Sequence, residues 1–175
     1  AVVNMAGVQL RAGDEKIMAR RARGLVFART GKEERALQDL QQVAADLGAQ
    51  GVTDPLVEAE IGHVLLLKED HERALPHLRR AVDQQADLAS ALGDLGLALI
   101  MEGDNEGAAR ALTRAVEIDP GLTRAWYNRG LMHFHAGNYG QAESDLARAA
   151  ELAPDNLEIG RLLQQVRRRA HQDDP

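Results

Sequence analysis

Apolar residues follow helical spacing in paired stretches along this chain. Between Leu92 and Ile100 they fall at i, i+3, i+4, i+7 and i+8, which places them on one side of an α-helix. A second stretch of the same kind follows the turn residues 102–105 and runs from Ala108 to Val116. Pro120 then ends that stretch because proline cannot continue a helix. The pattern predicts two helices joined by a tight turn.

Small and apolar residues recur at a fixed period, which extends this pair along the chain. Gly62, Gly96 and Gly130 are each 34 residues apart, since 96 − 62 and 130 − 96 are both 34. Three further sets keep the same step: Ala74, Ala108 and Ala142; Leu78, Leu112 and Leu146; Ala81, Ala115 and Ala149. A fixed period of this length is typical of stacked repeats, which bury their apolar faces only against their neighbours. We therefore predict an all-α stack of helix pairs.

The unit at residues 123–156 resembles the tetratricopeptide repeat (TPR) in both residue types and spacing. The matching positions are Trp126, Tyr127, Gly130, Gly137, Asn138, Tyr139, Ala142, Ala149 and Pro154. The chain departs from the family pattern at Arg23 and Arg129, where leucine is usual, and at Glu69, which replaces a turn glycine. The resemblance implies a right-handed superhelical solenoid of antiparallel helix pairs with a C-terminal capping helix.

The repeat pattern divides the chain into successive segments. We predict a long, divergent first repeat at residues 17–54 and regular repeats at 55–88, 89–122 and 123–156, followed by a solvating helix and tail at 157–175. We predict that residues 1–16 form an N-terminal helix or a partial repeat. Within them, residues 4–14 fit either the first helix and turn of another repeat or the second helix of one. We expect a helix at about residues 2–12.

Composition and charge narrow the function classes. The absence of cysteine excludes disulfides and thiolate metal sites. The net charge of −6 is uneven, because residues 11–35 are basic and residues 36–122 are acidic, and this distribution argues against a uniform nucleic-acid footprint. The basic cluster at Arg20, Arg21, Arg23 and Arg29 is expected to be solvated, with an acidic partner or non-specific nucleic acid as the alternative. No apolar run is long enough to span a bilayer. The sequence is compatible with either a cytoplasmic or a periplasmic location.

No arrangement of polar residues predicts catalysis. His133 and His135 are two residues apart and point about 200° apart on a helix, so they do not share one metal ion. Lys32 follows a glycine as in a phosphate-binding loop, but Glu33 stands where serine or threonine is needed. We therefore predict that the protein is not an enzyme and has no cofactor and no metal site.

The TPR resemblance implies that the first helix of each pair lines a concave groove that binds a partner. The groove-facing candidates are Arg21, Leu25, Arg29, Glu60, His63, Leu67, Asp94, Leu97, Met101, Tyr127, Asn128, Leu131 and His135. Some TPR domains use paired lysine and asparagine to hold a C-terminal carboxylate. The corresponding positions are different here, so we do not expect a carboxylate clamp. These positions hold Arg21, Leu25, Ala59, His63, Tyr127 and Leu131.

Together these features predict a non-catalytic scaffold that binds a protein or peptide in the groove. Two alternatives remain open: an assembly factor or chaperone for a bacterial secretion or pilus apparatus, and a regulatory TPR domain of a larger enzyme. The Ala- and Arg-rich composition hints at a bacterial source. An exposed terminal helix face also leaves self-association open as an alternative mode of interaction.

Overall fold

A computed structural model describes residues 12–170, and all regular secondary structure in this range is α-helical. The helices are α1 (Ala12–Arg29), α2 (Glu33–Gly48), α3 (Pro55–Leu67), α4 (His71–Gln84), α5 (Ala89–Glu102), α6 (Asn105–Ile118), α7 (Thr123–His135), α8 (Tyr139–Leu152) and α9 (Leu157–Ala170). The predicted all-α fold class is confirmed.

The described residues form two compact units that divide between Ala81 and Val82. In unit one, α1 packs along α2, and α2 packs against α3. In unit two, each helix from α5 to α9 packs against the next, and α5 also contacts α7. Packing of each helix against its neighbours in chain order is how stacked helix pairs bury their apolar faces.

Each helix pair closes on a contact between a glycine and a leucine. A Cβ atom built on Gly62 would lie 2.6 Å from Cγ of Leu78, and one built on Gly96 would lie 2.5 Å from Cγ of Leu112. Both leucines are completely buried. The repeated glycine is therefore required by a close approach, because a methyl group would occupy the space that the leucine fills.

The turns within the helix pairs share one backbone conformation. Gly31, Gly103 and Gly137 have positive φ angles of 67°, 90° and 76°, and Glu69 at the equivalent turn has φ of 60°. A side chain in this left-handed region costs roughly 1–2 kcal/mol. Glu69 thus keeps the turn geometry of the other pairs and bears the strain that glycine avoids.

The start of α1 differs from one interpretation of the sequence. Within the described residues, α1 already includes Gly13 and Asp14, so these two residues are helical rather than forming a turn. The rest of the helix predicted at residues 2–12 lies outside the described residues.

Two arginines that depart from the TPR pattern are each matched by an aspartate 16 residues later. Arg23 binds Asp39 through two hydrogen bonds of 2.7 Å, and Arg129 binds Asp145 through two of 2.8 Å. The corresponding positions in the unit at 89–122 are both apolar: Leu95 and Ala111. In two repeats, a forked guanidinium–carboxylate pair therefore stands at positions that are apolar and buried in the unit at 89–122.

The pair in unit one makes a pH-dependent contribution to stability. Hydrogen bonding to Arg23 holds the pKa of Asp39 below its usual value. A lowered carboxyl pKa in the folded state stabilises the fold above the unfolded-state pKa, and this contribution is lost as pH falls through the folded-state value. In an Arg23→Gln variant we expect the pKa of Asp39 to rise, as measured by NMR titration of its carboxyl carbon. The stability difference between wild type and variant should shrink as the pH is lowered; a pKa that does not change would contradict the assignment.

Candidate partner-binding surface

An open groove of about 720 Å³ lies between α1 and α3 in unit one. Its lining is mostly apolar and consists of Ala22, Leu25, Val26, Ala28, Arg29, His63 and Leu67. Val26 and Leu67 are 45% and 48% exposed, which is high for large apolar side chains. The structure thus brings together four of the residues predicted from the sequence, namely Leu25, Arg29, His63 and Leu67.

Two further predicted residues, Arg21 and Glu60, bind each other between the same helices. Nε and Nη2 of Arg21 donate to the two carboxylate oxygens of Glu60 at 2.9 and 2.7 Å, and Asp54 lies 3.5 Å from Nη1. The hydrogen bonds to Glu60 are the main cause of the raised pKa of Arg21. This ion pair joins α1 to α3. Because the two side chains bind each other, their charges are largely neutralised within the protein.

The predicted basic cluster is mostly neutralised in the same way. Arg20 pairs with Asp46 and Arg23 pairs with Asp39, both on α2. Arg29 makes no ion pair with any residue that the structure describes. The cluster therefore presents Arg29, rather than four free arginines, to a partner.

In unit two, the candidates on α5 have different environments. Asp94 is buried and lies 3.4 Å from Nη1 of Arg124. Nη2 of the same arginine donates to the Ser90 carbonyl oxygen at 3.1 Å. Leu97 is half-buried, whereas Met101 is exposed. Of these three predicted residues, only Met101 offers a large free surface.

Some of the candidates on α7 are buried or bonded within unit two. The Tyr127 hydroxyl donates to Glu158 of α9 at 2.8 Å, and burial together with this bond raises the pKa of Tyr127 to about 12. Asn128 is buried, Leu131 is half-buried and His135 is exposed. Tyr127 therefore stays protonated at neutral pH and joins α7 to α9.

Sequence reasoning missed Ala22, Val26 and Ala28 as groove residues. The signal was present, because Met18, Ala22 and Val26 repeat at i, i+4 and i+8 on the side of α1 away from Gly24. A helix with apolar residues on two sides needs two surfaces to cover them. In unit one, α2 covers the Gly24 side, and Met18, Ala22 and Val26 stay exposed.

Residues 12–170 contain neither a metal-site candidate nor a membrane-spanning helix. In this range, no three histidine, cysteine or acidic side chains come close enough to hold a metal ion. Within the same range, no helix has both the length and the apolar character needed to cross a membrane.

Family models for the tetratricopeptide repeat match two overlapping parts of the chain, residues 60–123 and residues 104–167. Together the matched segments include most of α3 and all of the helices from α4 to α8. They also include the 34-residue spacing of glycine and alanine on which the resemblance rests. The chain belongs to the tetratricopeptide-repeat family.

Solved TPR structures share this fold at low sequence identity. YrrB, a TPR protein with an unusual peptide-binding site, is 24% identical with a TM-score of 0.67, covering 85% of this chain and 74% of its own. MamA (41-end) from Desulfovibrio magneticus RS-1 is 19% identical with a TM-score of 0.68, covering 91% and 98%. The first TPR of Spaghetti (RPAP3), bound to HSP90 peptide SRMEEVD, is 21% identical with a TM-score of 0.61, covering 65% and 90%. These likenesses confirm the TPR solenoid fold. No curated protein sequence matches the chain.

Proposed function

We propose that this protein is a non-catalytic interaction scaffold that binds a partner peptide or helix along the groove of unit one. The observation that carries the proposal is the apolar groove between α1 and α3, in which Leu25, Val26 and Leu67 remain exposed. Exposed apolar patches of this kind on a soluble domain mark binding surfaces.

The groove chemistry favours a segment with apolar anchor side chains. Covering the apolar surface of Leu25, Val26 and Leu67 would contribute about 25 cal/mol for each Å² removed from water. Arg29 and His63 add polar groups to the groove lining, where they can orient the bound segment. The Arg21–Glu60 pair supports the groove by holding α1 and α3 at a fixed spacing.

Family membership supports an interaction role, because TPR repeats are typically non-catalytic protein-interaction modules. Two of the similar structures are described with peptides: YrrB with its peptide-binding site, and the first TPR of Spaghetti with an HSP90 peptide. The carboxylate-clamp residues are absent from this chain, so the proposal is for apolar anchoring rather than capture of a C-terminal carboxylate. The assembly-factor and regulatory-domain alternatives stay predictions.

Binding in this groove should depend on Leu25 and Leu67. We expect peptides selected by the wild-type chain from a random displayed library to lose affinity by about tenfold or more on a Leu25→Asp, Leu67→Asp double variant. The reason is that two carboxylates replace the apolar wall and must be desolvated when a peptide binds. Fluorescence anisotropy of the selected peptides, synthesised with a dye label, gives the dissociation constants.

The matched control is Leu157→Asp, which makes the same chemical change at a 72% exposed leucine on α9. Its peptide affinities should equal those of wild type. Circular dichroism should show that all variants keep the helical content of the native chain. Selected peptides that bind the groove variant and the wild type equally would contradict the proposal, as would a selection that yields no binder.

A further inference from the structure

α1 exposes a continuous stripe with coiled-coil spacing. Its positions alternate in steps of three and four residues, which is the spacing of the contact seam between paired helices. All of the side chains in the stripe are exposed, and they lie opposite the Gly24 side that packs on α2. The seam residues are Glu15, Met18, Ala22, Leu25 and Arg29, flanked by Ala19 and Val26.

We propose that a second copy of this chain docks on this stripe, with the two α1 helices antiparallel and a two-fold axis at Ala22. Such an axis brings Met18 against the partner's Val26 and brings Ala22 against the partner's Ala22. It also brings Glu15 against the partner's Arg29. The stripe is therefore complementary to itself, as an isologous interface must be.

The charges of Glu15 and Arg29 favour a second copy of the chain as the partner that covers the stripe. Neither Glu15 nor Arg29 forms an ion pair with any residue in the described range 12–170, whereas Arg20, Arg21 and Arg23 on the same helix each bind a carboxylate. Glu15 and Arg29 are 14 residues apart, so about 21 Å of helix separates them within one chain. The antiparallel dimer joins them twice, once on each side of the axis.

The groove beside the stripe accommodates an apolar side chain from the second copy. Met18 is 52% exposed, and its unbranched thioether adapts to irregular apolar surfaces. In the dimer, the partner's Met18 lies opposite Val26, which lines the groove together with Leu25 and Leu67. The dimer and a peptide would then compete for one surface, although the dimer does not depend on the proposed peptide function.

A charge swap on the full chain tests the pairing. Sedimentation velocity over a range of concentrations, up to about 1 mM, should show a weak monomer–dimer equilibrium, because a contact along one helix is small. We expect Glu15→Arg alone and Arg29→Glu alone to weaken dimerisation by about tenfold, since each turns two attractive contacts into repulsive ones. The double variant should recover the wild-type dissociation constant within about threefold.

Mixing the two single variants gives a sharper result. A heterodimer of Glu15→Arg with Arg29→Glu has both contacts attractive, so the mixture should dimerise where neither variant does alone. The control is Arg161→Glu, an equal charge reversal on an exposed residue of α9, which should leave the dimer unchanged. A monomer at every concentration would overturn the proposal. The proposal would also be overturned if the single charge-reversal variants dimerised as strongly as wild type. It would equally be overturned if a mixture of the two variants failed to dimerise.

A cysteine placed on the axis checks the geometry independently. The chain has no cysteine, so Ala22→Cys can form a disulfide only with a second copy. We expect oxidation to give a covalent dimer for Ala22→Cys and not for Gln41→Cys, an exposed position on α2. Equal crosslinking of the two variants would contradict an axis at Ala22. Ala22 and Arg29 also line the groove, whereas Glu15 does not, so the Glu15→Arg variant distinguishes failure of the dimer from failure of peptide binding.

Discussion

An Asp145→Ala variant is expected to lose about 3 kcal/mol of unfolding free energy, measured by urea denaturation. The reason is that Asp145 is buried and holds both nitrogen arms of Arg129, whose side chain is only 17% exposed. Without the carboxylate, the guanidinium keeps its 3.2 Å bond to Thr113 and its position 5.0 Å over the Trp126 ring. Neither neighbour compensates a full positive charge. Most of the lost stability therefore comes from leaving the Arg129 guanidinium charged and poorly solvated.

The matched control is Asp39→Ala in unit one, where the hydrogen-bond geometry is the same but Arg23 is 61% exposed. Water can solvate Arg23 once its partner is removed, so this variant should be clearly less destabilised than Asp145→Ala. Equal losses for the two variants would show that burial of the arginine does not decide the effect.

Adding Arg129→Leu to Asp145→Ala should recover most of the lost stability. The pair then becomes leucine and alanine, as at Leu95 and Ala111 in the unit at 89–122. An apolar pair of suitable size often replaces a buried ion pair without loss. If the double variant is as unstable as Asp145→Ala alone, the stranded charge is not the cause of the instability.

The period of small residues was sufficient to predict an all-α stack of helix pairs, and the repeat family followed from the resemblance of the unit at 123–156 to the TPR pattern. Gly62 and Gly96 recur because a leucine on the paired helix occupies the space where a side chain would lie. This requirement is local to one helix pair and repeats in each, so it is visible as a spacing. The turn at Glu69 could be predicted from the same period, because Glu69 lies 34 residues before the turn glycine Gly103. The two residues both have a positive φ.

The candidate site was less predictable because it depends on contacts between helices that are distant in sequence. The spacing placed Arg21 and Glu60 on the first helices of their pairs, but it did not reveal that they bind each other. Tyr127 likewise donates to Glu158, 31 residues away. Such bonds depend on side-chain reach and on the offset between helices, and neither follows from residue type. The TPR resemblance could propose which helices line a groove, but it could not show that Arg29 makes no ion pair with the described residues while Arg20, Arg21 and Arg23 do.

The glycine–leucine contact also predicts that the usual stabilising effect of alanine over glycine in a helix is reversed at position 96. Alanine normally stabilises a helix interior by about 1 kcal/mol relative to glycine. Gly160→Ala on α9 should do so, because beyond its chain neighbours and its own helix backbone nothing lies within 4 Å of the added methyl group. Gly96→Ala should instead destabilise the protein. Its methyl group would lie 2.5 Å from Cγ of Leu112, and overpacking costs about 1–3 kcal/mol.

Leu112→Ala alone is expected to cost about 2–5 kcal/mol, because this leucine is fully buried and its removal leaves a cavity. When the two changes are combined, the alanine methyl at position 96 enters space that the leucine has vacated. The double variant should therefore be more stable than the sum of the single effects by about 1 kcal/mol or more. Urea denaturation of the four chains gives this coupling energy directly. Strict additivity would mean that Gly96 and Leu112 do not compete for the same space, and the physical reason for the 34-residue period would then be wrong.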